Sequence, residues 1–252
     1  MQQLKKKIAN YHAAVLMMLL VSLSFAFIRP ATVLSTEKTV AAAATKASSL
    51  VEEKMSLYDS LDLEDKGLSR EAFQYALTGY NNLLGSGKII NDDILSILDF
   101  SQASGKKRLY IIDLSTGELL FHTYAAHGRG SGAAMATVFS NKPNSYKSSL
   151  GFYITGETYK GKHGESLRLN GTEKGFNDNA LARGIVIHSA SYADEEIVQR
   201  QGFIGRGQGC PALPQNISQE VITKIKNGTC LFLYSPDKYY TANSKLLKSE
   251  NI

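Results

Sequence analysis

Gly184-Ile185-Val186-Ile187-His188-Ser189, followed after a polar stretch by Gly205-Arg206-Gly207-Gln208-Gly209-Cys210-Pro211-Ala212, decides how this 252-residue sequence is read. Ile185 to Ile187 is a β-branched apolar run that predicts a buried strand. A strand end is a rigid mount for the imidazole of His188. A thiol attacks carbonyl carbon as the thiolate, and a free cysteine with a pKa of about 8.5 is mostly protonated at neutral pH. Chemistry at Cys210 therefore needs a base or a cationic neighbour. The glycines before it let backbone N–H groups come close to a reacting carbonyl, as an oxyanion hole requires. The pattern predicts a cysteine acyl-transfer site with Cys210 as nucleophile, His188 as base, and the amides of Gly209 and Cys210 as oxyanion donors.

Outward from this core the pattern is mainly β. Leu109–Leu114 reads as a strand, 115–118 as a turn, and Leu119–Tyr124 as its hairpin partner. Further strands are expected at Leu150–Thr155, Ser166–Leu169, Gly184–His188 and Thr229–Tyr234. Helices are expected at Asp194–Arg200 and at Ser218–Asn227, the latter closed by Gly228. Before Lys106 the spacing turns helical. Leu50–Leu61 predicts a first helix, and Ser69 caps a second with Phe73, Ala76, Leu77 and Tyr80 on one face. Asn91 or Asp92 caps a third carrying Ile94, Leu95, Ile97 and Leu98. The expected organisation is a small helical subdomain at 50–103, a strand-rich catalytic domain at 104–238 and a C-terminal tail at 239–252.

The amino terminus reads as an export signal. Lys5-Lys6-Lys7 precede an apolar stretch from Ala13 to Leu23, and Ser24-Phe25-Ala26 fits the small-x-small cleavage rule. An uncleaved anchor is the alternative, although the sixteen residues from Ala13 to Ile28 fall short of the about 20 that span a bilayer. Residues 27–49, with an alanine-rich run from Ala41 to Ala44, read as a linker. The formal charge of +5 falls to about +2 once 1–26 are removed. Neither that charge nor any basic, aromatic-interleaved stripe suggests nucleic acid as a partner.

In the order strand–His, helical insert, Gly-Cys, final helix and strand, residues 106–237 resemble the catalytic domain of murein L,D-transpeptidases, in the branch whose motif reads Gly-Cys-Pro-Ala. The resemblance implies a β-sandwich-like fold and exported action on peptidoglycan stem peptides in the periplasm or cell envelope, without metal or organic cofactor. It implies His188 as base, Cys210 as nucleophile, and Ser189 as the residue whose backbone carbonyl orients the imidazole. The commoner family pattern has Ser or Thr and then His just before Gly-Cys; here those positions are Gly207 and Gln208, so Gln208 faces the substrate in place of a histidine. A His-Gly segment after the hairpin gives His127 a place lining the cleft. The family's flap falls on 153–164, with Tyr153 and His163 as contacts. Arg183 and Arg206 flank the motif as carboxylate clamps, since guanidinium recognises carboxylates bidentately.

Other readings of these residues stay open. Water as acceptor would make the same site an L,D-carboxypeptidase or a thiol amidase. In an oxidising compartment Cys210 and Cys230 could pair, which would leave a non-catalytic wall-binding protein. The apolar strand around Cys230 argues instead for a buried spectator. The glycines after His127 lack the lysine of a phosphate loop. His122 alternates with apolar neighbours as a structural residue, and no second His or Cys stands at ligand spacing from His163. Asp194, Glu195 and Glu196 fit the acidic first turn of a helix.

Overall fold

The strand at the middle of the sheet is one that sequence spacing presents as a helix. The computed structural model describes residues 54–162 and 164–248. The expected leader and linker, the start of the first helix, and His163 lie outside the described residues. Within them, Ile94–Asp99 is strand β1, not a helix capped at Asn91 or Asp92. All six of its residues are buried: β2 (Leu109–Asp113) and β8 (Cys230–Tyr234) pair along its two edges, and its Ile and Leu side chains lie within the main hydrophobic core. A strand covered on both faces needs no polar alternation, so its Ile and Leu spacing is free to imitate a helix.

The remaining strands are β3 (Glu118–Thr123), β4 (Gly151–Gly161), β5 (Gly164–Gly171), β6 (Val186–Ser189) and β7 (Ala212–Leu213). They join in one eight-stranded sheet of order β3-β2-β1-β8-β4-β5-β6-β7. The β1–β8 and β6–β7 pairs are parallel and the others antiparallel. The fold is mainly β with a few helices, as the sequence suggests, and β7 is an addition that its two residues did not signal.

Residues 54–60 are helical. Helix α1 (Arg70–Gly85) follows, with the Ser69 hydroxyl accepting the Ala72 amide at 3.1 Å as an N-cap. Its buried stripe of Phe73, Ala76, Leu77, Tyr80 and Leu83 follows the helical period and packs into the same core as β1, β2 and β8. The expected division at 103/104 therefore crosses a shared sheet and a shared core. Helices α2 (Glu195–Gln201) and α3 (Ser218–Ile225) fall where the sequence put them. Residues 239–248 are not a loose tail. Helix α4 (Lys238–Asn243) is capped by Asp237, and the hydroxyls of Tyr240 and Ser244 donate to the buried carboxylate of Glu173. The Asn82 amide then holds the carbonyls of Leu246 and Lys248 at 3.0 Å each. Among the described residues no helix is long and apolar enough to cross a membrane.

Gly79 sets how closely α1 approaches the sheet. A Cβ there would lie 2.0 Å from Cζ of Phe152, a ring stacked on Phe232 at 4.1 Å between centroids. In Gly79→Ala the helix gains about 1 kcal/mol of propensity, while overpacking a core ring costs about 1–3 kcal/mol. The expected result is a net loss of stability, read as a lower urea midpoint at unchanged slope. A raised midpoint would show that the ring yields without strain.

Candidate active site

A cleft of about 600 Å³ opens beside β5, β6 and the glycine-rich segment that precedes β7. His188 sits on its wall because β6 is held between Ser166 of β5 and Ala212 of β7. Its Nδ1 lies 2.9 Å from the carbonyl oxygen of Ser189. A carbonyl only accepts, so Nδ1 carries the proton and the lone pair of the neutral ring belongs to Nε2. That is the tautomer a general base requires.

Cys210 stands two residues before Ala212, half-buried on the wall of the same cleft. Its Sγ is 3.6 Å from the carbonyl of Gly184. Burial pushes the thiol above its ordinary range; the backbone at Val186, the Arg183 guanidinium and the cysteine's own amide oppose this without cancelling it. Together these influences favour the thiol over the thiolate. Cys230 is also free and fully buried in β8, between Leu95 of β1 and Ile154 of β4, where burial holds its thiol protonated. The two sulfurs form no disulfide.

The turn that carries Cys210 is built from close backbone approaches. Gly209 has φ +123°, and a Cβ there would meet the Lys147 carbonyl oxygen at 2.7 Å. Gly128 pairs with Gly207 in an isolated parallel bridge, with the Gly207 amide on the His127 carbonyl at 2.9 Å and the Arg129 amide on the Gly207 carbonyl at 2.8 Å. The buried hydroxyl of Ser148 ties the two loops together. It donates to the Gly209 carbonyl and accepts the Gly128 amide, each at 3.1 Å. The trans peptide is planar, so fixing the Gly209 carbonyl also fixes the direction of the Cys210 N–H.

Of the candidates read from sequence, Arg183, Arg206 and Gln208 line this cleft with His188 and Cys210. Arg183 does not offer an open clamp. Its Nη atoms donate to the carbonyls of Ser140 (2.9 Å) and Lys147 (2.6 Å) and to the hydroxyls of Ser149 and Ser145, which fixes the 140–149 loop. Two candidates are corrected. Tyr153 is fully buried between β5 and β8, with its hydroxyl on the Ser149 carbonyl at 3.0 Å, so it cannot meet a substrate. His127 is fully buried too. Arg108 donates to its Nδ1 at 2.8 Å, and burial together with that cation lowers its pKa to about 4, so it serves the loop rather than the cleft. The outer half of the β4–β5 hairpin does line the cleft, but through Tyr159, Lys162 and Ser166.

Sequence reading missed Tyr192, Tyr146 and Arg129. Tyr192 follows His188 in a short 3-10 turn and reaches the glycine segment: its hydroxyl lies 2.9 Å from where a Gly207 Cβ would stand. Burial, with the nearby Cys210, pushes its phenol up to about 12. The guanidinium of Arg129 lies over the Tyr146 ring at 4.1 Å. No local pattern marks these residues, because the Gly128–Gly207 bridge that gathers them joins segments far apart in the chain. Among the described residues no group of His, Cys, Asp and Glu is placed to hold a metal ion.

The fold is mainly β, and a cysteine and a histidine stand on the wall of one cleft. A family model of the L,D-transpeptidase catalytic domain matches residues 64–234, and the chain belongs to this family of enzymes. Solved structures similar to it include an L,D-transpeptidase from Mycobacterium smegmatis, at 15% identity over 57% of this chain and 59% of that one, with a TM-score of 0.36. L,D-transpeptidase 3 from Mycobacterium tuberculosis is 12% identical over 57% of this chain and 61% of that one, with a TM-score of 0.37. An L,D-transpeptidase from Stackebrandtia nassauensis is 12% identical over 65% of this chain and 66% of that one, with a TM-score of 0.35. The chain thus spans about three fifths of the length of the first of these. No curated protein matches significantly.

Two measurements check this geometry. Ser148→Ala leaves a buried amide and carbonyl without their partner and is expected to cost about 1–3 kcal/mol, seen in urea denaturation, while slowing iodoacetamide labelling of Cys210. Labelling of the wild type should keep rising with pH through neutrality and level off only above the ordinary thiol range, because burial raises the Cys210 pKa. A plateau already at pH 7 would show a preformed thiolate.

Proposed function

We propose that this protein is an exported L,D-transpeptidase that cleaves and re-joins peptidoglycan stem peptides through a thioester on Cys210. The observation that carries this reading is the Ser189 carbonyl on His188 Nδ1 beside a cleft-lining thiol, in a chain of the L,D-transpeptidase family. His188 Nε2 takes the thiol proton as Sγ attacks the carbonyl carbon of the donor stem, so thiolate forms only as it is consumed. The tetrahedral oxyanion is held by backbone donors at Gly209 and Cys210. Collapse breaks the amide bond; the imidazolium returns its proton to the leaving amine, and the acyl group stays on sulfur. An amine of a second stem then attacks the thioester, His188 again takes a proton, and the thiol is restored. The Lys-rich, apolar amino terminus supports action outside the cytoplasmic membrane, in the periplasm or cell envelope.

Intact-protein mass spectrometry with a stem tetrapeptide tests the assignment. Wild type and Cys230→Ala should both gain the acyl mass, and Cys210→Ala should not. His188→Gln should acylate about a hundredfold to ten-thousandfold more slowly while remaining folded. An adduct retained by Cys210→Ala, or an unimpaired His188→Gln, would overturn the mechanism.

A further inference from the structure

The charge of the cleft is one-sided. Arg129, Lys162, Arg183 and Arg206 line it, and among the described residues no aspartate or glutamate does. Arg183 holds the 140–149 loop with its own donors and is not open to a ligand. Arg129 and Arg206 differ from it. Each is the chain neighbour of a bridge glycine, Arg129 of Gly128 and Arg206 of Gly207, so the backbone mounts them on one short parallel contact. Cys210 lies three residues beyond Gly207 on the same segment.

Both guanidinium groups are oriented, and both keep donors in hand. Arg206 gives Nη1 to the Gly132 carbonyl at 2.9 Å, one of the five N–H groups of its fork. Arg129 lies on Tyr146 at 4.1 Å, a contact that occupies its face and leaves its in-plane N–H groups at the edge. Both side chains are exposed. Among the described residues the one ion pair is Arg70 with Asp59, so neither cleft arginine has a protein carboxylate within reach. Oriented cations without a counter-charge, in a concave site, attract an anion, and a planar fork matches a carboxylate with two parallel hydrogen bonds.

We propose that Arg129 and Arg206 form a carboxylate subsite of the Cys210 cleft, by which it selects acyl donors bearing a free carboxylate over the same peptides carrying a carboxamide. The selection of donors rests on the transpeptidase reading; the subsite itself is a binding property. A stem peptide offers two sources of such a group, its C-terminal carboxylate and a side-chain carboxylate, and amidating each in turn separates them.

The test uses the full chain with Cys210→Ala, which cannot react, and titration calorimetry with three stem tetrapeptides: both groups free, C-terminus amidated, and side chain amidated. One amidated peptide should bind about tenfold more weakly than the free form, and raising the salt should shrink that difference. Adding Arg129→Gln or Arg206→Gln should weaken the free peptide by a similar factor and leave the amidated one unchanged. Lys224→Gln, a charge removed on the exposed side of α3, should change neither. Equal binding of all three peptides, or discrimination that survives both arginine substitutions, would overturn the subsite. In that case acylation of the wild type by the same peptides would leave the transpeptidase reading standing. If no peptide binds and the wild type is not acylated by any of them, the transpeptidase reading itself falls.

Discussion

Everything in the fold hangs on the two edges of β8. Cys230–Tyr234 pairs in parallel with β1 on one side and antiparallel with β4 on the other. The strands β1–β3 and β4–β7 meet nowhere else in the sheet order. Remove β8 and the hydrogen-bond ladder becomes two fragments, each with a buried apolar edge and unpaired backbone groups exposed along it. The side chains of β8 reinforce the seam: Phe232 stacks on Phe152, and Tyr234 approaches Phe232 at 5.7 Å. The cleft inherits its rigidity from this seam through β4, β5 and β6 in turn. A segment close to the C-terminus thus governs a site built mostly from residues before it.

Around the sulfur, opposing influences are balanced rather than summed. Burial favours the thiol, while the Arg183 guanidinium and nearby amides favour the thiolate, and burial wins. In the proposed reaction this sets the order of events, with proton transfer to His188 accompanying attack. Arg183 serves two needs with one group: its donors stitch a loop of backbone carbonyls, and its charge remains close enough to Cys210 to temper the cost of ionisation. A lysine could not replace it, because one ammonium cannot reach so many acceptors in a planar fork.

What was legible in the sequence follows from range. The α1 cap at Ser69, its apolar stripe, the β2–β3 hairpin and the strand that carries His188 are local patterns, and the structure keeps them. The family resemblance was legible because its two segments, 184–189 and 205–212, are each local patterns that keep their order along the chain. β1 was misread because its burial comes from partners distant in sequence, which erases the alternation that marks a half-exposed strand. Tyr153 and His127 were misplaced for a related reason. Composition says that a residue lies near a loop or strand, but only the packing of β4 on β5 and β8, or of Arg108 on His127, says which way it faces. Tyr192 and Arg129 left no local trace, since the Gly128–Gly207 contact that gathers them is non-local.

The glycine turn divides the cleft into a part that tolerates change and a part that does not. At Gly128 any side chain would collide with the Tyr146 carbonyl oxygen at 2.3 Å, and at Gly209 with the Lys147 carbonyl oxygen at 2.7 Å under a left-handed φ. Backbone atoms cannot rotate aside, so these positions are closed to every other residue type. Arg129 and Arg206 project from the same scaffold as exposed side chains, and replacing them brings no such collision, at the loss for Arg206 of one bond to the Gly132 carbonyl. Divergence in what the cleft accepts has therefore to be written in such outer side chains, while the apparatus that aims the sulfur is inherited whole or lost.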